Sequence, residues 1–319
     1  MSFGTPPLVT VFGGGGFIGR YVTEYLLKSG ARVRVAQRRP KQAYFLQPLG
    51  QVGQIQFVAA EVTRPDSVAL AVKGADAVVN LVSVFGSAME RVNGDGAGIV
   101  AKAAAEAGAS ALVQVSAIGA DPEGEARYAQ SKARGEAETK KAFPRATIIR
   151  PSVVFGPEDE LTNRFAGLLA LLPVYPVIAA ESTFQPVYVR DVARAIAMAA
   201  LDQKYAGKMF EIGGPEVMTM RELTAEIARL ANHERILADV PDFATAALSR
   251  LGFLPGAPLT HDQWLMLQKP NVASGKKGSG LDAFGIEPTA LGAVGSEWLV
   301  RFREGGRFAP IKSSIEAQG

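Results

Sequence analysis

Short apolar runs alternate with amphipathic stretches along the first half of the chain. Residues 8–12 are apolar except for Thr10, and Ile18, Val22 and Tyr25 then recur at helical spacing until Gly30. This order predicts a buried strand followed by a helix. Five further runs predict strands: RVRVA at 32–36, IQFVAA at 55–60, AVVNLV at 77–82, ALVQVS at 111–116 and ATIIRP at 146–151. Because helical stretches lie between most of them, the pattern predicts an α/β protein with a doubly wound parallel sheet.

The alternation of strands and helices loosens after Pro151. The runs at 186–201 and 208–214 still have the pattern of a helix and a strand, whereas 223–230 and 239–251 have helical spacing outside the sheet. We therefore predict a sheet domain over 5–151 and 184–214. A smaller, mostly helical C-terminal lobe is predicted over 152–183 and 215–310, and a flexible tail over 311–319.

Consecutive glycines lie between the first predicted strand and the first predicted helix. Gly13, Gly16 and Gly19 form a GxxGxxG pattern, and Gly15 leaves further room beside them. The first glycine permits a tight turn, the second lets the backbone approach a pyrophosphate, and the third allows the helix to pack closely on the strand. The N-terminus of the helix adds amide donors. The pattern predicts a Rossmann-type dinucleotide site; the alternative is a glycine-rich turn that binds nothing.

The second predicted strand ends in Gln37, Arg38 and Arg39. A protein that prefers NAD usually has an acidic residue here, which bonds the 2′-hydroxyl of the ribose. Guanidinium groups instead suit a 2′-phosphate, so NADP(H) is favoured over NAD(H). The alternative is a pair of solvated surface arginines. Glu61 and Val62, after the third strand, are predicted to contact the adenine, although Glu61 could simply be a polar strand end.

Tyr128 and Lys132 in the sequence YAQSK are four residues apart, which places both on one face of a helix. An ammonium group at this spacing would lower the pKa of the phenol and hold a ribose. With Ser116 at a strand end and Asn93 before a helix, this set predicts acid and base catalysis of hydride transfer. The alternative is a site that retains the cofactor without turnover.

Composition narrows the classes of function. The 319 residues are 48% hydrophobic and 20% charged, with a net charge of +3, which is typical of a globular protein. The absence of cysteine and the presence of only two histidines argue against thiol chemistry and a metal site. The basic residues are spread along the chain, unlike the basic stripe of a nucleic-acid binder. Because no signal-peptide pattern opens the sequence, we expect a cytoplasmic location.

The motifs together resemble the short-chain dehydrogenase/reductase superfamily in its extended or atypical branch. The resemblance rests on the glycine loop, Asn80, Asn93, Ser116, Tyr128, Lys132 and RPSVVFGPED at 150–159. It implies that the cofactor also lies against Phe17, Ile18, Leu81, Pro151 and Val153. The chain departs from ordinary extended reductases around Ser116, where those carry adjacent serines or threonines and a longer span to the tyrosine.

Three downstream blocks are similar to the accessory nucleotide-binding subunits of respiratory complex I, NADH:ubiquinone oxidoreductase, and their bacterial relatives. The blocks are KAFPRATIIRPSVVFGPEDELTNRFA, FQPVYVRDVARAI and LTHDQWLMLQKPNVAS. This similarity implies NADPH held by a subunit peripheral to the membrane, on the cytoplasmic face in a bacterium. It also implies that the C-terminal lobe contacts complex I subunits or membrane-surface lipid.

Three functions remain open from the sequence. The first is the accessory or assembly subunit that the similarity to complex I proteins implies. The second is a free-standing NADP(H)-dependent oxidoreductase or epimerase, with Tyr128 as the acid or base, Lys132 tuning it and Ser116 polarising a carbonyl. The third is a regulator that senses the occupancy of NADPH, which shares every nucleotide-binding feature with the other two.

Overall fold

A computed structural model describes residues 5–250, 252 and 259–303 of the chain. The strands are β1 (Leu8–Phe12), β2 (Arg32–Gln37), β3 (Ile55–Ala59), β4 (Ala77–Asn80), β5 (Ala111–Val115), β6 (Thr147–Pro151), β7 (Val154–Phe155), β8 (Val174–Val177), β9 (Thr183–Phe184), β10 (Val187–Tyr188), β11 (Met209–Ile212), β12 (Met218–Thr219) and β13 (Ile236–Asp239). The helices are α1 (Phe17–Lys28), α2 (Pro65–Val72), α3 (Gly96–Glu106), α4 (Arg127–Ala142), α5 (Glu160–Leu171), α6 (Val189–Leu201), α7 (Met220–Leu230), α8 (Asp242–Arg250), α9 (His261–Leu267), α10 (Leu291–Val294) and α11 (Ser296–Leu299).

Seven of these strands form one central sheet. Their order is β11, β6, β5, β4, β1, β2, β3, and every neighbouring pair is parallel. The predicted α/β fold with a doubly wound parallel sheet is therefore confirmed. The strand order reverses between β1 and β4. In such sheets ligands bind at this point, in the crevice at the carboxyl ends of the strands.

Helices cover both faces of the sheet, because side chains alternate along each strand. On β1, Val9 and Val11 join one buried core with residues of α1 and α6. Phe12 joins a second core with residues of α2 and α3. Helix α4 packs on α3 and extends the second layer. This arrangement fixes the N-terminus of α1 and that of α4 at the carboxyl edge of the sheet.

The C-terminal part of the chain is largely helical, as predicted, but it also contains short strand pairs that the sequence pattern does not indicate. β7 pairs with β10, β8 with β13 and β9 with β12. The helix predicted at 239–251 begins later, at Asp242, because Asp239 ends β13 and pairs with Val177. Leu251 lies outside the described residues, as do 304–310 of the predicted lobe and the predicted tail at 311–319.

The apolar stretch at 165–180 forms the second half of α5 and then β8. Among the residues that the structure describes, no helix combines the length and the hydropathy needed to cross a bilayer.

Candidate active site at the carboxyl edge of the sheet

The glycine loop has the backbone geometry that its sequence predicts. Gly13 adopts a φ of +79°, its amide donates to Ala36 O at 3.0 Å, and Gly13 O accepts from the amide of Gly16 at 2.9 Å. A Cβ atom at Gly19 would lie 2.1 Å from Gly13 O, so no side chain fits there. A Cβ atom at Gly16 would meet Gly13 O alone within 4 Å. The loop is therefore a tight turn, closed toward the protein and open on its outer face at Gly16.

Helix α1 begins directly after this turn, at Phe17. Gly16 is its N-cap, and no side chain of the described residues caps the first turn. The first amides of a helix have no partner within the helix, so those of Phe17 and Ile18 are available to an anion. The rings of Phe17 and Tyr21 pack edge to face, with centroids 6.5 Å apart. The open turn and the uncapped helix together fit a pyrophosphate group.

Gln37 connects the glycine loop to the two arginines at the end of β2. Its Oε1 accepts from the amide of Gly15 at 3.2 Å, and its Nε2 donates to Arg39 O at 2.8 Å. The side chains of Arg38 and Arg39 are exposed, and neither has an ion pair or hydrogen bond with any described residue. Two arginines without a described side-chain partner therefore follow directly after the residue that contacts the glycine loop.

The residues predicted at the adenine end have different environments. Val62 is buried in the core, where a Cβ at Gly96 of α3 would meet its Cγ2 at 2.9 Å. Glu61 is partly exposed and its Oε1 accepts from the hydroxyl of Thr63 at 3.0 Å. Leu81 follows β4, and its amide donates to Phe12 O at the carboxyl end of β1. Glu61 and Leu81 are thus placed at the edge of the crevice, whereas Val62 packs beneath it.

Tyr128 and Lys132 lie in the first turns of α4, one turn apart. Lys132 is buried, and its Nζ donates to Val115 O at 2.9 Å. Burial lowers the pKa of this amine to about 8, and the charge of Glu136 partly opposes the shift. Burial also raises the pKa of the Tyr128 phenol, while a hydrogen bond from Ser83 acts in the opposite direction. The predicted lowering of the phenol pKa by Lys132 is therefore wrong, because desolvation dominates and the amine is bonded to a carbonyl.

Sequence reasoning missed two residues of the loop at 81–88 that contact Tyr128. Ser83 Oγ lies 3.4 Å from Tyr128 Oη, and the ring of Phe85 stacks on that of Tyr128 with centroids 4.3 Å apart. Phe85 is nevertheless 60% exposed. An aromatic residue in a loop after a buried strand was the available signal, but its contact partner lies more than forty residues away, at a position that only the fold defines.

Asn93 holds this loop in place. Its Oδ1 accepts from the amide of Val84 and its Nδ2 donates to Val84 O, both at 2.9 Å, and Nδ2 also reaches Ser131 Oγ at 3.1 Å. Asn93 is buried within the single π-helical turn Glu90–Asp95 that precedes α3. Its carboxamide holds the loop in this position, and the catalytic role of Asn93 stays a prediction.

Ser116 follows β5 and is buried, and its Oγ has no hydrogen-bond partner among the described residues. An unpaired buried hydroxyl costs free energy, which a bound polar group would recover. Pro151 ends β6 beside it, and its carbonyl accepts from the amide of Ile118 at 3.1 Å. The amide of Val153 donates to Asn271 Oδ1 at 3.1 Å. The predicted residues of β5 and β6 are thus brought to one edge with α4.

A distant segment completes this edge. Helix α9 starts with a capping box between Thr260 and Gln263. The carboxylate of Asp262 then accepts from the amides of Arg127 at 2.6 Å and Tyr128 at 3.2 Å, so it caps α4 from outside. The THDQ sequence predicts a helix start, but nothing in it predicts which other helix Asp262 would cap.

A cavity of about 250 Å³ lies between α4 and this segment. Its walls are formed by residues 117–120 after β5, by residues 124–126, 128, 129 and 132 before and at the start of α4, and by residues 265, 266 and 268–271. Tyr128 and Lys132 both line it, as does Ala117, the residue after Ser116. The arrangement provides a proton donor, a buried amine and a partly open cavity in which a small molecule could meet them.

Comparison with known proteins identified two matching family models and two relatives of similar sequence. A family model described as NAD(P)H-binding matches residues 13–167, and one described as the RmlD substrate binding domain matches residues 119–250. The mitochondrial NADH dehydrogenase (ubiquinone) 1 alpha subcomplex subunit 9 of Rattus norvegicus is 33% identical over 308 residues, covering 93% of this chain and 80% of that protein. A ceramide reductase of Caulobacter vibrioides is 32% identical over 190 residues, covering 58% of each chain.

Among solved structures, the Escherichia coli quinone oxidoreductase QOR2 complexed with NADPH superposes with a TM-score of 0.75 and 19% sequence identity. The match covers 91% of this chain and 99% of that one. At this level of identity the similarity concerns the fold.

Proposed function

The chain belongs to the NAD(P)-binding, short-chain dehydrogenase/reductase-like family that includes NADH dehydrogenase (ubiquinone) 1 alpha subcomplex subunit 9, and on that premise we propose that it is an NADP(H)-holding accessory subunit of a respiratory NADH:quinone oxidoreductase. The observation that carries the proposal is a similarity extending over 93% of the chain. It therefore includes the C-terminal part as well as the sheet domain.

The residues at the glycine loop fit a dinucleotide. The positive φ of Gly13 and the excluded Cβ at Gly19 bring the backbone and the first amides of α1 to the position where a pyrophosphate would bind. Gly15, Gly16, Phe17 and Ile18 would provide that contact. Glu61 would border the adenine side of the crevice, and Val62 would support that side from the core. Leu81 would border the nicotinamide side. Tyr128, Lys132, Pro151 and Val153 would border the nicotinamide end.

Arg38 and Arg39 support NADP(H) as the cofactor, because their guanidinium groups have no described partner and lie beside Gln37. Charge-assisted hydrogen bonds to a phosphate contribute about 1.5–3 kcal/mol. We expect Arg38→Gln/Arg39→Gln to weaken NADPH binding about 10- to 100-fold in a fluorescence titration and to leave NADH binding nearly unchanged. Lys140→Gln/Lys141→Gln, which also removes two adjacent exposed cations, should change neither. Equal NADPH affinity in the arginine variant and the wild type would refute the assignment.

The partner surface is proposed on the smaller lobe, 152–183 and 215–310, at the cytoplasmic face of the membrane. Large exposed apolar side chains on this lobe support such contacts: Leu171 is 78%, Ile236 68% and Phe243 79% exposed. A tagged full-length chain, purified from gently solubilised membranes, should bring down subunits of the oxidoreductase. Leu171→Ser/Ile236→Ser/Phe243→Ser should lose them, whereas Leu70→Ser, on α2, should retain them. An eluate of the wild type without any such subunit would reject the association.

A second candidate function is that of an NADP(H)-dependent oxidoreductase, and the cavity beside Tyr128 and Lys132 favours it. When bound, the nicotinamide supplies or accepts hydride. Tyr128 would then pass the proton to or from the oxygen of a substrate, and the hydroxyl of Ser116 would hold that oxygen. Because its pKa is lowered to about 8, Lys132 would change charge near neutral pH and orient a ribose as a donor in either state.

The test of this second function is consumption of NADPH with a panel of carbonyl compounds. Turnover should fall at least 100-fold in Tyr128→Phe, because proton transfer by a positioned side chain contributes about 10²–10⁴-fold. NADPH affinity should stay within a few fold of the wild type. Tyr205→Phe, a tyrosine buried elsewhere in the core, serves as the control. Turnover that survives in Tyr128→Phe would exclude the mechanism.

A further inference from the structure

Four buried or half-buried charges of alternating sign form a row beside the cavity. This charge row consists of Lys132 and Glu136 on α4, Arg150 on β6 and Glu211 on β11. We propose that Glu136 is a positioning residue that keeps the amine of Lys132 charged at the nicotinamide end of the site. Arg150 competes with the amine for the same carboxylate. The contact of the amine with a dinucleotide rests on the proposed function, whereas the effect of Glu136 on its charge does not.

Glu136 lies one helical turn after Lys132, and both side chains are buried. Side chains four positions apart are neighbours on the surface of a helix, so the carboxylate and the amine are close. Burial lowers the pKa of Lys132 to about 8, and the charge of Glu136 acts against that shift. The attraction between opposite charges is stronger here than in water, because few water molecules screen it. Glu136 is thus the group that counteracts neutralisation of the amine.

Other titratable side chains near Lys132 are less able to act on its charge. Burial raises the pKa of Tyr128, so its phenol is neutral where the amine titrates. Glu125 and Lys269 line the same cavity but are exposed, so water and salt screen them, and Lys269 also pairs with Asp121 at 3.1 Å. Strand β5, which supplies the carbonyl bonded to the amine, has no charged side chain. The carboxylate of Glu136 and its own partners therefore dominate.

Arg150 binds the carboxylate of Glu136 through two hydrogen bonds. Its Nε donates to Oε1 and its Nη2 to Oε2, both at 2.7 Å. Such a bidentate pair is among the strongest that a carboxylate forms. The hydrogen bonds to Glu136 raise the pKa of Arg150, so the guanidinium stays charged. Because a nearby positive charge disfavours a second one, Arg150 opposes the effect of Glu136 on the amine.

Glu211 connects Arg150 to the C-terminal part of the chain. Its Oε1 lies 3.6 Å from Nη1 of Arg150, and its Oε2 accepts from the amide of Ser274 at 2.9 Å. The amide of Glu211 in turn donates to Ser279 O at 2.8 Å. The charge row therefore runs from the cavity to the backbone of the loop between Ser274 and Ser279.

The test is a pH titration of Lys132 in the full chain, followed by NMR of lysine side chains labelled with carbon-13 at Cε. The resonance of Lys132 is the one that is missing in Lys132→Met. In the wild type its midpoint should lie at about pH 8. In Glu136→Gln the midpoint should fall by about one pH unit, since a nearby opposite charge shifts a pKa by about 1–3. Glu138→Gln, the same change two positions further along α4, should leave it unchanged.

Variants of the rest of the charge row should shift the midpoint with alternating sign. Arg150→Gln should raise it, because a competing cation is removed, whereas Arg150→Lys keeps the charge and should stay close to the wild type. Glu211→Gln should lower it by less than Glu136→Gln does. A merely structural role would move every variant upward, toward 10.5, the ordinary value for lysine. Arg150→Lys and Glu211→Gln carry the test if Arg150→Gln does not fold.

The outcomes separate this inference from the proposed function. An unchanged midpoint in Glu136→Gln, an upward shift in Glu211→Gln, or a fall in folded Arg150→Gln would each overturn it. Saturating NADPH should raise the midpoint of Lys132 in the wild type, because the bound phosphates are negative. The alternating shifts without any effect of NADPH would leave the role of Glu136 standing and reject the contact of Lys132 with the dinucleotide.

Discussion

The cofactor edge and the cavity beside Tyr128 both lie at the carboxyl end of the sheet, but they are built in opposite ways. The cofactor edge is built mainly within residues 13–39, where the turn at Gly13 is fixed by backbone contacts with Ala36 and Gly16. The cavity is assembled from two segments more than 130 residues apart, joined by the side chain of Asp262. The difference predicts that the two regions respond separately to substitution.

They also differ in how they place charge. At the cofactor edge, Arg38 and Arg39 are exposed and uncommitted, which keeps their desolvation cost low until a ligand binds. Beside the cavity, Lys132 is buried and bonded to a carbonyl, and its pKa is lowered to about 8 as a result. The first arrangement suits the capture of an anion from water, whereas the second makes the charged form of the amine less stable.

The largest effect is expected at the cofactor edge, from Gly19→Ala. The added Cβ would lie 2.1 Å from Gly13 O, which belongs to the backbone and cannot move without opening the turn. At a cost of about 3 kcal/mol, NADPH affinity should fall roughly 100-fold, measured by fluorescence titration. Gly167→Ala on α5 is the control, since its Cβ would meet its nearest neighbour at 3.6 Å. Wild-type affinity in Gly19→Ala would show that the turn does not form the site.

The next effect concerns the buried amine of the cavity. Because the pKa of Lys132 is lowered from 10.5 to about 8, the unfolded chain binds more protons than the native protein between these two values. The free energy of unfolding contributed by this group is therefore lowest below pH 8 and rises with pH up to about 10.5. Lys132→Met should be more stable than the wild type by up to about 3 kcal/mol at pH 7.

This stability difference should shrink as pH is raised toward 10, when both proteins are unfolded with urea at a series of pH values. Lys140→Met, at an exposed position on the same helix, should show no such trend relative to the wild type. A difference between Lys132→Met and the wild type that stays constant from pH 7 to pH 10 would contradict the buried, destabilised ammonium.

The smallest effect separates the two regions directly. Asp262→Ala removes the carboxylate that caps α4, and loss of such a cap costs about 1 kcal/mol. Amide hydrogen exchange in residues 265–271 should become severalfold faster, because this segment loses an anchor, while NADPH affinity should stay within twofold of the wild type. Asp242→Ala on α8 should change neither quantity. A severalfold loss of NADPH affinity in Asp262→Ala would show that the cavity and the cofactor edge are one cooperative unit.

The features that the sequence predicted most accurately depend on residues that are close together in the chain. The glycine loop, the arginines after β2 and the four-residue spacing of Tyr128 and Lys132 are all local patterns, and the structure puts them at one edge because parallel strands end there. The Rossmann-type sheet followed from the alternation of apolar runs. The direction of the Tyr128 pKa shift was mispredicted, because spacing does not show that burial dominates or that Lys132 is bonded to Val115.

The sequence could not reveal contacts that depend on the packing of distant segments. Ser83 reaches Tyr128 across 45 positions, Asp262 reaches Arg127 across 135, and Asn271 reaches Ser152 across 119. Polar residues of these types are common in loops and at helix starts, so none is distinctive until the fold gives its neighbour. The partners of Asn93 could not be predicted for the same reason, since they lie in a loop that precedes it by nine positions and in α4.

The identity of the nucleotide carried by the freshly purified full-length protein tests the central claim most directly. The bound nucleotide should be released by denaturation and identified by mass spectrometry, together with its molar ratio to the protein. An NADP(H)-holding subunit predicts NADPH or NADP⁺ at a substantial fraction of one per chain, and a much smaller fraction in Arg38→Gln/Arg39→Gln. NAD(H) in place of NADP(H), or no nucleotide together with equal affinity for NADPH and NADH, would contradict the account.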